Sequence, residues 1–316
     1  MVYPDVANDL SERIAGALTA YACGDALGLP WENEPKAASA ADIEQLPARE
    51  GWPRGSTTDD TALTLLAARH LAERGGGCDA GAFLAELAAQ EPGIRGLGPT
   101  TKAAIEHFRR TGEVAPATGR ATNGAPMRAL PAGWALPHAQ AERRRQVTIG
   151  ISRATHAAAA ALVGACVIAT CGSWALEGAD PALLLQVAVD EAREAARAVG
   201  TGTGLAELLT QVAAGTWTAP AAGISLDPYE TVTAVLSCVA RAPSLRDGLV
   251  SAVQLGGDTD TVAALAGGLL GCRRTAEQVR AELPWHRLVA LPELESAITQ
   301  AAAALAAARA VQPDGS

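Results

Sequence analysis

Two short runs of oxygen-bearing side chains, far apart in the chain, have the residue types that hold hard cations. Ser56-Thr57-Thr58-Asp59-Asp60 opens an amphipathic stretch, and Gly256-Gly257-Asp258-Thr259-Asp260-Thr261 runs into Val262-Ala263-Ala264-Leu265. Either run alone reads as a helix N-cap whose acids are stabilised by the helix dipole. The paired glycines of the second allow a sharp turn and close backbone approach. Asp258, Asp260 and Thr261 then point into one concave space while Thr259 faces away. Pooled, Thr58, Asp59, Asp60, Asp258, Asp260 and Thr261 offer four carboxylates and two hydroxyls. Such hard donors select Mg²⁺, Mn²⁺ or Ca²⁺ over zinc. Four acids gathered without cations repel each other and shift upward in pKa. The expected complement is therefore a pair of divalent cations, about 3.5–4 Å apart in the usual two-metal arrangement. The spacing excludes an EF-hand, and neither a P-loop nor a GxGxxG fingerprint is present.

Helices must position these runs. Asp9 to Cys23 puts Leu10, Ile14, Leu18 and Tyr21 on one stripe, and Asp59 to Arg74 does so with Leu63, Leu66 and Leu71. Thr100 to Arg110 stacks Ala104, Ile105 and Phe108. Asp180-Pro181 is a cap followed by proline in the first turn, with Gly200 as the stop. Asp227-Pro228-Tyr229-Glu230 starts the same way, and its spacing predicts that Glu230 reaches back to the cap amide; Thr275 to Gln278 resembles it. No stretch alternates apolar and polar residues as a strand does. The Pro- and Gly-rich stretches Pro30–Trp52, Arg120–His138 and Gly215–Asp227 read as site-forming loops. The expectation is one compact all-α domain over residues 1–311, with a disordered tail at 312–316.

Composition narrows the function classes. Of 316 residues 49% are hydrophobic but only 3% aromatic, so Ala, Leu, Val and Gly must supply the burial. That suits closely packed helices. A net charge of −9 argues against a nucleic-acid surface, which needs a basic stripe. Lys36 and Lys102 are the only lysines, which with the Ala and Gly excess fits a GC-rich genome. The six cysteines show no Cys-x-x-Cys spacing and read as reduced, buried thiols. The N-terminus lacks the pattern of a signal peptide. Ala157 to Leu176 is uncharged over twenty residues, yet its Ala, Gly and Ser content fits a buried central helix better than a membrane span. A soluble, cytoplasmic monomer is expected.

Six blocks in order carry a resemblance across roughly residues 11 to 290. They are Gly24-Asp25-Ala26-Leu27-Gly28 with Glu32, Thr58-Asp59-Asp60-Thr61, Asn123-Gly124-Ala125-Pro126-Met127-Arg128, Thr155-His156, Glu230-Thr231-Val232 and the Gly256–Thr261 run. Together they resemble an ADP-ribosylglycohydrolase of the dinitrogenase-reductase-activating type. The resemblance implies an all-α fold with a binuclear Mg²⁺ or Mn²⁺ centre in a cleft, where the ADP-ribose moiety of a modified protein or small molecule is hydrolysed at C1 of the distal ribose. It implies that Thr58, Asp59, Asp60, Asp258, Asp260 and Thr261 are the metal ligands and Glu32 the catalytic glutamate. Asn123, Gly124, Ala125 and Met127 fall on the loop touching diphosphate and distal ribose, His156 on the site histidine, and Gly98 on the phosphate loop.

Two departures stand out. Ala157-Ala158-Ala159 replaces the polar or proline neighbours common after the histidine, and Arg95 to Thr100 lacks an aromatic often found in the phosphate loop. The implied transition state is oxocarbenium-like. Glu32 is not required as a ligand by either acidic run, which leaves it free for proton transfer as acid or base. Trp31 and Trp52 are candidates to line the cleft. Two other readings are weighed: an ADP-ribose binder that lost the chemistry, against which the full ligand set and Glu32 stand, and another two-metal hydrolase, against which the Asn123–Arg128 loop stands.

Overall fold

The computed structural model describes residues 6–35, 39–115 and 121–310; the expected tail at 312–316 lies outside them. The first half holds α1 (Val6–Gly28), α2 (Ala40–Glu44), α3 (Asp59–Glu73), α4 (Ala80–Gln90), α5 (Pro99–Thr111), α6 (Leu130–Ala135) and α7 (Ala141–Ser152). The second holds α8 (Ala159–Leu176), α9 (Pro181–Val199), α10 (Gly204–Ala213), α11 (Pro228–Arg241), α12 (Leu245–Gln254), α13 (Thr259–Gly271), α14 (Ala276–Glu282) and α15 (Leu291–Ala310). Among the described residues the only β-type pairings are two isolated bridges, Arg49 with Trp52 and Ile224 with Gly257.

Helix ends follow local chemistry. Asp180 accepts from the Leu183 amide to start α9, and Gly200 at φ 71° ends it. Thr275 and Gln278 form a reciprocal capping box on α14. At α11 the cap is present, with Asp227 accepting from the Tyr229 and Glu230 amides, but Glu230 does not return to the Asp227 amide. Its carboxylate accepts from the Ser225 amide and hydroxyl instead, while the Asp227 amide donates to Ser225 Oγ. Ser225 satisfies that donor over a shorter reach.

The predicted loop at Arg120–His138 is overturned in part: it contains α6, every residue of which is buried. Pro131 stands in the first turn, where no amide is missed. Gly133 lies so close to α8 that a Cβ there would sit 2.0 Å from the Ala169 carbonyl oxygen. The helix-breaking types here mark a start and a close crossing. Pro30–Trp52 likewise holds a 3-10 turn and α2, whereas Gly215–Asp227 is irregular as expected. The uncharged stretch is α8; by length and composition it could cross a membrane, and 83% of it is buried inside the fold. It packs against α6, α7, α9 and α11. All six cysteines are free, and five are buried.

The broadest helix pair is α1 against α13. Glycines bring their backbones into contact. A Cβ at Gly24 would lie 2.2 Å from the Ala263 carbonyl oxygen, and one at Gly28 would lie 2.4 Å from Asp260 Cα. From the other side, a Cβ at Gly267 would lie 2.4 Å from the Ala20 carbonyl oxygen. The start of α13, which carries the second acidic run, is thereby held on the C-terminal half of α1.

Candidate active site and metal centre

The two acidic runs meet. Glu32, Asp59, Asp60, Gly98, Asn123, Gly124, Met127, His156, Asp258, Asp260 and Thr261 all line one cleft of about 300 Å³. Thr58 and Ala125 are buried behind it and do not line it. Neither Trp31 nor Trp52 is among its walls. Trp31 packs on the core, and Trp52 sits under the Arg95 guanidinium, 4.6 Å from its ring centroid. A larger hollow of about 460 Å³ near the ends of α12 and α13 holds no cluster of acids.

Each acid is placed by backbone chemistry. Thr58 caps α3, accepting from the Asp60 amide at 3.2 Å, and its hydroxyl donates to Asp60 Oδ2 at 3.2 Å. Thr261 Oγ1 donates to the same Asp60 oxygen at 3.2 Å, so the two runs touch directly. Gly256 and Gly257 lie at φ 74° and 77°, in the left-handed region that favours glycine. A Cβ at Gly257 would meet the Ile224 carbonyl oxygen at 2.1 Å. Thr259 faces away as expected, its hydroxyl donating to the Gly28 carbonyl at 2.8 Å. The Asn33 amide donates to the Gly257 carbonyl at 2.8 Å, and the Gly257 amide to Glu34 at 2.7 Å. These bonds hold the Glu32 loop beside the second run.

The Glu32 carboxylate stands beside the second acidic run: oxygens of Glu32, Asp258 and Asp260 lie within 4.8 Å of one another. An ion pair with Arg49 fixes it from the other side, and Arg49 also donates to the Leu29 carbonyl at 2.8 Å. Nothing in the spacing of Arg49 marks it in advance.

Burial dominates the electrostatics. It lifts Asp258 to about 6, partly offset by the bond from Asn123. Asp59 rises to about 6, again through burial. Asp60 is pushed well above the carboxylate range by burial and then by Asp25, Asp59 and Asp258. Asp260 follows through burial, Asp258 and Asp60. Asp260 Oδ1 is also buried with no hydrogen-bond partner. An orphaned carboxylate oxygen amid mutually repelling buried acids is the situation a divalent cation resolves. The donor set fits hard cations.

Asp25, in the Gly24–Gly28 block, carries no role that the sequence implies. Its signal was a lone charge within the apolar run Tyr21–Leu27. Asp25 is fully buried and accepts from the Thr58 amide at 3.0 Å, the Thr61 amide at 3.1 Å and Thr61 Oγ1 at 2.5 Å. Burial lifts it to about 7. Arg128, at the end of the Asn123–Arg128 block, likewise has no role that the sequence implies. It is buried, donates to Thr155 Oγ1 at 2.6 Å, and leaves Nε and Nη1 without partners. His156 sits beside it, its Nδ1 2.7 Å from Thr155 Oγ1 and its Nε2 3.0 Å from Thr122 Oγ1. Burial and then Arg128 push His156 down to about 3, so the ring is neutral.

Known proteins resemble the chain over most of its length. The Escherichia coli (strain K12) protein YegU, itself uncharacterized, is 29% identical over 307 residues, spanning 86% of this chain and 92% of its own length. A solved structure described as an ADP-ribosylglycohydrolase-related protein complex superposes with a TM-score of 0.76 at 27% identity, covering 95% of this chain and 99% of that one. The family model for ADP-ribosylglycohydrolase matches residues 7–315. With fifteen α-helices among its described residues and a family model that matches nearly its whole length, the chain belongs to the ADP-ribosylglycohydrolase family.

Proposed function

We propose that the chain is a divalent-cation-dependent hydrolase that cleaves the glycosidic bond at C1 of the distal ribose in ADP-ribosylated proteins or small molecules. The observation that carries this is the convergence of Glu32 with Asp258 and Asp260 in a cleft where Asp260 Oδ1 has no partner. Thr58, Asp59, Asp60, Asp258, Asp260 and Thr261 would hold two Mg²⁺ or Mn²⁺ ions. Bound there, the cations would supply Lewis-acid charge and orient ribose hydroxyls.

The protein's own groups do the rest. The Gly98 and Gly124 backbones line the cleft without side chains, which allows a diphosphate to approach amide donors closely. Met127 and Leu226 supply apolar wall. Glu32, steadied by Arg49, exchanges the proton as the C1 bond breaks through an oxocarbenium-like transition state. Positioned acid–base help of this kind contributes roughly 10²–10⁴-fold.

The test is a panel of substrates linked through arginine, serine or an O-acetyl group. Chelated protein is assayed with Mg²⁺ or Mn²⁺ restored. Release of free ADP-ribose from at least one linkage, only with cation, supports the reading. ADP-ribose binding without turnover on any linkage would make the chain a binder and overturn it.

A further inference from the structure

Four side chains form a line that runs from the buried Arg128 to the cleft wall at His156 and Thr122, and its hydrogens can be counted. Arg128 has only donors to offer, and its Nη2 donates to Thr155 Oγ1. The Thr155 hydroxyl has one other partner, His156 Nδ1 at 2.7 Å. Donating to Nδ1 uses its proton; receiving from Nδ1 would strand that proton between two donors. His156 Nδ1 is therefore the acceptor, and the ring proton lies on Nε2. Nε2 faces Thr122 Oγ1 at 3.0 Å and donates to it. Thr122 lines the cleft, and its own proton has no partner among the described residues.

The ring cannot escape this order by turning over. A half-turn about its outer torsion would set carbons against both hydroxyls. The backbone of the Asn123 loop also presses on its edge: a Cβ at Gly124 would lie 2.4 Å from His156 Cε1 and 2.5 Å from Nε2. The chain begins at a buried cation, and successive bonds polarise one another toward their free end. That end is a hydroxyl proton in a cleft, matched to an oxygen that carries negative charge.

We propose that Arg128, Thr155, His156 and Thr122 form a one-way hydrogen-bond chain that holds His156 as its neutral Nε2–H tautomer and presents the Thr122 hydroxyl as a donor to a phosphoryl oxygen of the ligand. Thr122 is a ligand-binding residue, and Arg128 and Thr155 are positioning residues acting through the ring. The phosphoryl ligand and the choice of ADP-ribose as probe rest on the function proposed above; the direction of the chain does not.

The experiment uses the full chain with ¹⁵N-labelled histidine. The His156 signals are identified by their loss in His156→Gln, and their tautomer is followed from mildly acidic to alkaline pH. The expected spectrum is a single Nε2–H tautomer that does not titrate, becoming a mixture in Thr155→Val. An Nδ1–H tautomer, or a ring that gains a proton in the mildly acidic range, overturns the chain. Calorimetry with ADP-ribose then tests its free end. Thr122→Val is expected to weaken binding about tenfold and Thr122→Ser by less than about twofold, the loss of one hydrogen bond to a charged group. Thr122→Val binding as tightly as wild type overturns the donor role. If wild type binds no ADP-ribose, the nucleotide reading of the cleft fails, while the tautomer spectrum still decides the chain.

Discussion

Removing the cations should invert the pH dependence of stability. Asp25, Asp59 and Asp258 are lifted by burial to about 7, 6 and 6, from an unfolded value near 3.8. In that window the folded, cation-free protein binds more protons than the unfolded chain. Its stability therefore falls as pH rises from about 4 to about 7. For Asp258 the lift of about two units is worth about 3 kcal/mol. Unfolding a chain of 316 residues carries an entropy of about 2.1 cal/mol/K per residue. The Asp258 contribution alone then corresponds to about 5 °C in Tm. Asp258→Asn keeps the shape and can still bond Asn123 by turning its amide. In chelator, that variant should gain about 5 °C over wild type near pH 7 and nothing near pH 4. With saturating Mg²⁺ the order reverses, because deprotonated carboxylates are what the cation binds and only wild type retains the full set. Scanning calorimetry of both proteins across pH, with and without Mg²⁺, measures this. Equal Tm values for the two chelated proteins at neutral pH would refute the claim that burial holds the Asp258 carboxyl above its ordinary range in the fold.

Three further outcomes follow from the packing and the site. Gly124→Val places a side chain into the His156 ring, where even a Cβ would be 2.4 Å away; ADP-ribose affinity measured by calorimetry should fall at least about tenfold, and unchanged affinity would show that the loop is only a turn. Gly28→Ala drives a methyl to 2.4 Å from Asp260 Cα; overpacking of this kind costs roughly 1–3 kcal/mol, and here it should also weaken Mg²⁺ binding, seen as a smaller metal-induced rise in Tm. Glu32→Gln should lower single-turnover hydrolysis by roughly 10²–10⁴-fold with ADP-ribose affinity retained; lost affinity with normal turnover at saturation would mean that Glu32 only shapes its loop.

The elements and most of the site were legible because both rest on local patterns. Apolar residues at helical spacing, Asp-Pro starts and glycine stops placed the ends of α3, α5 and α9 closely, while α1 runs on past Cys23 to Gly28. The two acidic runs pointed to one cleft only when pooled, since either alone reads as a helix cap, as Thr58 indeed is for α3. Failures came where a residue type serves two purposes. Proline and glycine in Arg120–His138 read as loop, yet Pro131 opens α6 and Gly133 lets it press on α8. Glu230 had the spacing of a capping box, and Ser225, outside the pattern, supplied the nearer donors. Arg49 was invisible because α2 intervenes between it and its partner Glu32, and no periodicity relates the two.

The remaining question is how two runs so distant in sequence come to share one hydrogen-bonded cluster, and α1 answers it. One face of its C-terminal half, through Gly24 and Gly28, lies on the backbone of α13 at Ala263 and Asp260. Between those glycines Asp25 reaches the other way and gathers the Thr58 amide, the Thr61 amide and Thr61 Oγ1 at the start of α3. The spacing of the two acidic runs is thus set by a single turn of helix, with backbone contact on one side and a buried carboxylate on the other. The Gly-Asp-Ala-Leu-Gly block therefore contributes no wall to the cleft and still determines its geometry. A buried acid next to Asp60 is a costly way to cap a helix. It becomes reasonable when the same carboxylate also fixes where Asp60 stands relative to Thr261, whose hydroxyl closes the circuit at 3.2 Å.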